Sequence, residues 1–130
     1  GVARGGYVVS EATGGVPALL LIATGSEVSL AVAAQAELES RGVATRVVSL
    51  PCWSRFDAQD ATWREAVLPR AVTRRLAIEA GSSLGWHKYV GLDGDVLAQD
   101  RFGASAPAKA LAPEFGFTVD EVVRRALALP

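Results

Sequence analysis

The sequence contains no methionine and no asparagine, and only one cysteine and one histidine. Each shortage excludes something. A single cysteine, Cys52, rules out a disulfide framework within the chain and fits a reducing compartment. A single histidine, His87, cannot form a metal cluster unless several carboxylates converge on it. Without asparagine, and with the wrong acidic spacing, no EF-hand-like calcium loop is expected. The missing methionine suggests a chain processed or excised from something longer. No long basic run exists and the formal net charge is −1, so neither nucleic acid nor an anionic membrane is an expected partner. The longest apolar run, residues 16–23, contains Pro17 and is far too short to span a bilayer. The first residues lack the pattern of a secretory signal, and the expected location is cytoplasmic.

What is present points to one ordinary domain. The chain has 130 residues, of which 50% are apolar and 21% charged, enough for a soluble fold with a core. Residues 1–5 read as a linker remnant and 6–130 as a single domain. No internal repeat or low-complexity stretch interrupts it.

Strands and helices alternate. Residues 7–9 are strand-like, and Thr13-Gly14-Gly15 signals a turn. Residues 19–22 form a continuous apolar run, as a strand buried on both faces requires. A helix is predicted over 27–41, with Val28, Ala31, Val32 and Leu38 on its apolar face and Gln35 polar, closed by Gly42. Residues 45–50 form the next strand. Asp60 is placed to cap a short helix ending before Pro69. Residues 76–79 give another strand. Ser82 or Ser83 is expected to cap a short helix in which Trp86, Tyr89 and Val90 share a face. Residues 94–98 look like a weaker last strand, and Ser105-Ala106-Pro107 like a further helix start. In the final helix Thr118 and Glu121 form a capping box, with pairs expected from Asp120 to Arg124 and from Glu121 to Arg125. The fold class is α/β: three layers, with helices on both faces of a mostly parallel sheet.

Few residues suggest chemistry. Thr24-Gly25-Ser26 lies between a buried strand and a helix, where ligands of open α/β sheets bind. Gly25 and Ser26 are the candidate anion or nucleotide site, because helix amides and the helix dipole favour negative charge there. A strand-to-helix turn also needs a glycine and a cap for structure alone. The segment lacks both the dinucleotide glycine pattern and the phosphate-loop lysine. His87 is expected on the surface or at an interface, off the apolar face of its helix. Cys52 has only His87 as a possible imidazole partner and is expected to be a buried, inert thiol. No catalytic, cofactor-binding or metal-ligating residue is assigned.

A family resemblance goes further. The segments ARGGYV (3–8), IATGSEV (22–28), RVVSLP (46–51), FDAQD (56–60), VLPRAV (67–72), EAG (79–81), WHKYVG (86–91), FGASAPA (102–108) and EFGFT (114–118) occur in that order. Together they resemble the C-terminal, third domain of transketolase across nearly the whole chain. The resemblance implies a sheet of about five strands, one antiparallel, with residues 7–9 or 94–98 as candidates for the odd strand. It implies a homodimeric parent enzyme of the pentose phosphate pathway. That enzyme transfers a two-carbon ketol unit between sugar phosphates, using thiamine diphosphate and a divalent metal such as Mg or Ca. Cofactor, metal and sugar phosphates would be held by upstream domains, and no family catalytic residue maps onto this chain, Arg4 and His87 included. The partners implied are the remaining domains of its own chain and a second copy. This domain would be structural or regulatory, and inactive alone. Asp93-Gly94-Asp95 is similar to the start of the thiamine-diphosphate motif but lacks its leading glycine and its asparagine, so it reads as a turn. Related C-terminal domains, from 1-deoxyxylulose-phosphate synthase or a 2-oxo-acid dehydrogenase β subunit, are alternatives. So is a free-standing anion- or nucleotide-binding module.

Overall fold

The structure, a computed structural model, describes residues 2–99 and 116–130. The helix expected at Ser105-Ala106-Pro107 lies outside the described residues, as does the FGASAPA segment. The fold class is the expected one. Five strands form one sheet in the order β1-β3-β2-β4-β5. They are β1 (Tyr7–Ser10), β2 (Leu19–Ala23), β3 (Thr45–Ser49), β4 (Arg75–Glu79) and β5 (Asp95–Ala98). Strands β2 to β5 run parallel, and β1 alone is antiparallel, pairing with β3 at the sheet edge. Of the two candidates for the odd strand, it is the one at residues 7–9.

Strand β2 is central and wholly buried. Its side chains alternate between two cores, as a strand covered on both faces requires. Leu19, Leu21 and Ala23 enter one core, which is closed by helix α1 (Glu27–Ser40) and by the last helix, α5 (Val119–Leu127). Leu20 and Ile22 enter the other, which holds Phe56, Trp86 and Tyr89. Helices α2 (Trp53–Asp57), α3 (Ala61–Val67) and α4 (His87–Val90) cover that second face.

Most expected signals act as read, with local differences. Gly42, at φ 84°, closes α1 with two bonds: its own amide to the Glu39 carbonyl and the Val43 amide to the Leu38 carbonyl, both 3.0 Å. The buried face of α1, however, is Ala31, Ala34, Gln35 and Leu38, whereas Val32 is 38% exposed. Gln35 is buried because its amide bridges the sheet edge, donating to the carbonyls of Thr45 (2.9 Å) and Ser10 (3.2 Å). A buried amide so satisfied carries little penalty. The Asp60 carboxylate caps α3 by accepting the Trp63 amide at 2.8 Å.

Neither Ser82 nor Ser83 caps α4 with its side chain. The Ser82 hydroxyl accepts the Leu84 amide within the preceding turn, and α4 begins after Trp86. Half of the expected capping box forms in α5. Thr118 Oγ1 accepts the Glu121 amide at 3.2 Å, but the Glu121 carboxylate turns to Arg124 and Arg125. Arg124 thus pairs three residues back with Glu121 rather than four back with Asp120. Those two guanidinium groups, Arg124 first, hold the Glu121 carboxyl down at about 2.

Gly5 and Gly6 are buried against the domain, whereas Ala3 and Arg4 are exposed. Val2–Arg4 forms a 3-10 turn, the Gly5 carbonyl accepts the Cys52 amide at 3.1 Å, and Trp63 Nε1 donates to the Gly6 carbonyl at 3.2 Å.

Candidate functional site

Strands β2 and β3 end in short turns at the same end of the sheet, and Gly25 and Ser26 lie in the turn after β2. Both are exposed, and Gly25 has φ 55° with open space where a side chain would sit. The local bonds face inward. The Glu27 amide donates to the Thr24 carbonyl (3.1 Å) and the Val28 amide to the Gly25 carbonyl (3.3 Å). Ser26 Oγ donates to Glu27 Oε1 at 3.0 Å instead of capping the helix. A carboxylate therefore already occupies the positive end of α1, where it is favourable to the helix dipole. An incoming anion would have to displace it.

Cys52 is half-exposed, not buried. Its sulfur lies 3.5 Å from Ser54 Oγ, and that hydroxyl, followed by the Arg55 amide, lowers the thiol's pKa. The thiol is exposed because Cys52 is the half-turn residue leading into α2, between the buried Leu50 and Phe56. His87 is exposed on α4, opposite the buried Trp86, Tyr89 and Val90, as its helical phase predicts. The structure supplies no imidazole–thiol pair. Gly94, in the Asp93-Gly94-Asp95 turn, is a packing position: a Cβ there would meet Arg75 O at 2.8 Å and also Val90 O. Asp95 is used locally, on the Val96 amide and Arg125. Among the described residues, no group of three or more His, Cys, Asp or Glu is placed to hold a metal. Those described residues therefore offer no ligand set that fits the divalent metal of thiamine diphosphate.

The most organised polar feature was missed in the sequence. Arg46 on β3 and Arg75 on β4 flank Leu20 of β2 in register, one on each side. Both reach the C-terminal end of α3. Arg46 Nη1 donates to the carbonyls of Ala66 (2.8 Å) and Val67 (3.1 Å), while Nε and Nη2 form a two-bond pair with Glu11, each 2.9 Å. Arg75 donates to the carbonyls of Leu68 (3.3 Å), Pro69 (2.7 Å), Val72 (2.8 Å) and Tyr89 (2.7 Å). Two cations thus satisfy the end of α3, whose last carbonyls have no partner within the helix. Burial lowers the Arg75 pKa. An arginine inside an otherwise β-branched strand run was the available signal.

Beside this knot lies an open cleft of about 940 Å³, lined by Phe56, Asp57, Arg64, Glu65, Arg75 and Tyr89, among others. Its polar groups are largely committed to one another. Asp57 takes Lys88 and accepts the Tyr89 hydroxyl at 3.0 Å, and Arg64 Nε donates to the Gln59 carbonyl at 3.1 Å. Burial, then Asp57, pushes the Tyr89 hydroxyl's pKa up, so it stays a proton donor. The arrangement holds helices together; it presents no nucleophile with a base.

A family model described as the transketolase-like TK C-terminal domain matches residues 5–118. The chain belongs to the transketolase C-terminal domain family. The transketolase of Geobacillus stearothermophilus is 60% identical over 129 residues, covering 99% of this chain and 19% of its own. The solved transketolase of Leishmania mexicana superposes with a TM-score of 0.83 at 46% identity, covering 100% of this chain and 19% of that one. A Pichia stipitis transketolase, solved in complex with sedoheptulose 7-phosphate, gives a TM-score of 0.84 at 38% identity, covering 97% of this chain and 18% of that one. The transketolase domain thus spans about a fifth of the length of these relatives. The match supports a transketolase C-terminal domain over the synthase and dehydrogenase alternatives. Among the described residues, no helix of the domain is long and apolar enough to cross a membrane.

Proposed function

We propose that this chain is the C-terminal domain of a transketolase that moves a two-carbon ketol unit between sugar phosphates, and that the domain contributes packing rather than chemistry. The observation that carries this reading is the family match over residues 5–118, within relatives about five times as long. Thiamine diphosphate and a divalent metal, Mg or Ca, then belong to other parts of the enzyme and supply its carbanion chemistry. The cytoplasmic location, the homodimer and the place in the pentose phosphate pathway belong to the same reading. The 130-residue chain alone is expected to transfer no ketol unit at any thiamine diphosphate concentration, while a full-length chain ending in it does. Turnover by the isolated chain, or calorimetric binding of thiamine diphosphate to it, would overturn the proposal.

The exposure of Gly25 and Ser26 favours a second reading, in which the α1 end binds an anion or nucleotide once the Glu27 carboxylate moves aside. A ligand that binds only the folded state raises the melting temperature. Thermal scans in rising phosphate at constant ionic strength test this. A rise that Glu27→Gln enhances supports binding there; flat scans with both chains exclude it.

A further inference from the structure

The inference rests on the reading above that the domain is one part of a longer transketolase chain. We propose that the edge of the sheet around Trp53 and Leu84 is the face on which the upstream part of that same chain packs, with residues 3–6 latching the connection against it. Three observations converge on this edge.

The first is where the chain enters. Because β1 is antiparallel, its first residue, Tyr7, sits opposite Ser49, the last residue of β3. The segment before it therefore lies at the end of the sheet where β2 to β5 finish. It is held there closely. A Cβ on Gly6 would lie 2.5 Å from Leu50 Cδ1, and one on Gly5, whose φ is 79°, would strike the Cys52 carbonyl and Phe56 amide. The Arg4 guanidinium lies 4.3 Å from the Trp63 ring centroid. Upstream chain leaving this turn starts from a fixed point.

The second is the apolar surface beside that point. Leu84 is 83% exposed and cannot easily withdraw. Its amide is bound by Ser82 Oγ at 3.0 Å, and the next residue, Gly85, has φ 86° and is so close to Trp53 that a Cβ would lie 2.7 Å from the ring. Trp53 is itself only partly buried and follows Cys52, which holds Gly5. The turn that carries Leu84 thus reaches Trp53 through Gly85, and Cys52, next to Trp53 in the chain, bonds the Gly5 carbonyl of the latch. Val16, 77% exposed, precedes β2 at the opposite edge and serves as a control.

The third is length. The relatives carry about four-fifths of their chain outside the matched portion, a partner large enough to cover this edge. An apolar anchor beside a partly covered aromatic fits the centre of such an interface.

The test uses the full-length chain carrying Leu84→Asp or, separately, Val16→Asp, under limited trypsin digestion. Release of a fragment of this domain's size is the readout, because cleavage at a junction tracks the population of its open form. With Leu84→Asp the release rate is expected to rise by at least about tenfold, since burying a leucine accounts for roughly that much or more. Val16→Asp should leave it within about twofold of the unmodified chain, as surface changes do. Leu84→Ser, which adds no charge, should fall between the two. An unchanged rate for Leu84→Asp, or an equal rise for Val16→Asp, overturns the docking face. Ketol transfer by the unmodified full-length chain is assayed separately. Its absence would count against the transketolase reading, whatever the digestion shows.

Discussion

Replacing Trp86 with alanine is expected to lower the unfolding free energy by about 3–5 kcal/mol, the range for a large aromatic removed from a core. Trp86 has no exposed surface and is the largest fully buried side chain in the domain. It meets Trp53 edge-on, with centroids 5.0 Å apart and planes at 82°, and Tyr89 at 6.0 Å. These rings fill the second core between the sheet and helices α2 and α4. The indole also carries a polar task, donating from Nε1 to Glu79 Oε1 at 3.0 Å. Trp86→Phe keeps most of the volume and loses that bond, so about 1–2 kcal/mol is expected from it. Urea titration of the three chains separates the two contributions. A loss below about 1 kcal/mol for Trp86→Ala would mean that the second core repacks around the void, against the general cost of cavities.

Replacing Arg46 with alanine should cost about 2–4 kcal/mol, somewhat less than the roughly 3–5 kcal/mol of a fully buried pair. The reduction follows from Glu11, whose side chain is 42% exposed against 8% for Arg46. Left alone, that carboxylate regains water, but the Ala66 and Val67 carbonyls lose their donor. Arg41→Ala is the contrast. Its pair with Glu37 is an exposed one on the surface of α1, at 53% and 44%, and should be worth no more than about 0.5 kcal/mol. The Arg46–Glu11 pair also sets a pH dependence. Arg46 lowers the Glu11 pKa, chiefly through its side-chain hydrogen bonds, and Thr45 and Thr13 amides lower that of Glu39. A carboxylate whose folded pKa is depressed stabilises the protein above its unfolded pKa, and that stability is lost as pH falls through the folded value. With Glu121 held at about 2, the loss should run from near 4.5 downward. In Arg46→Ala the larger part of the share belonging to Glu11 is lost, only the Ala12 amide remaining to hold its pKa down, and the acid limb of the stability curve becomes shallower. An unaltered limb would show that Glu11 is not coupled to Arg46 in solution.

The legible parts of the fold are those written in local chemistry. The apolar run of β2 needs cover on both faces and has it. Gly42 is needed at a positive φ, and Asp60 is a cap by virtue of a carboxylate beside free amides. Helix α2 was not legible, because five residues make little more than one turn and give no period to detect. Gln35 and Val32 exchanged their expected places because the buried face of α1 is chosen by the approach of β3 and the edge strand, which bring carbonyls to the glutamine. Cys52 was misjudged because its burial depends on how the turn between β3 and α2 faces solvent. The candidate site was legible as a place and not as chemistry. Gly25 and Ser26 do lie in the turn after a central strand, but the contact of Ser26 with Glu27, which decides the charge at the helix end, is a rotamer choice.

By itself the sequence determined the α/β class, the strands of the sheet and most helix ends, because periodicity, caps and turn glycines act within a few residues, and the order of its short motifs carried the family resemblance. The tertiary structure alone decided which edge strand is antiparallel, which face of α1 is buried, and that Arg46 and Arg75 meet at the end of one helix. It also decided that the Gly5 and Gly6 carbonyls are bonded by Cys52 and Trp63. Those outcomes join residues far apart in the chain. The bonds that settle them form only once the sheet has brought Glu11 to Arg46, Arg75 to Tyr89 and Gly6 to Trp63.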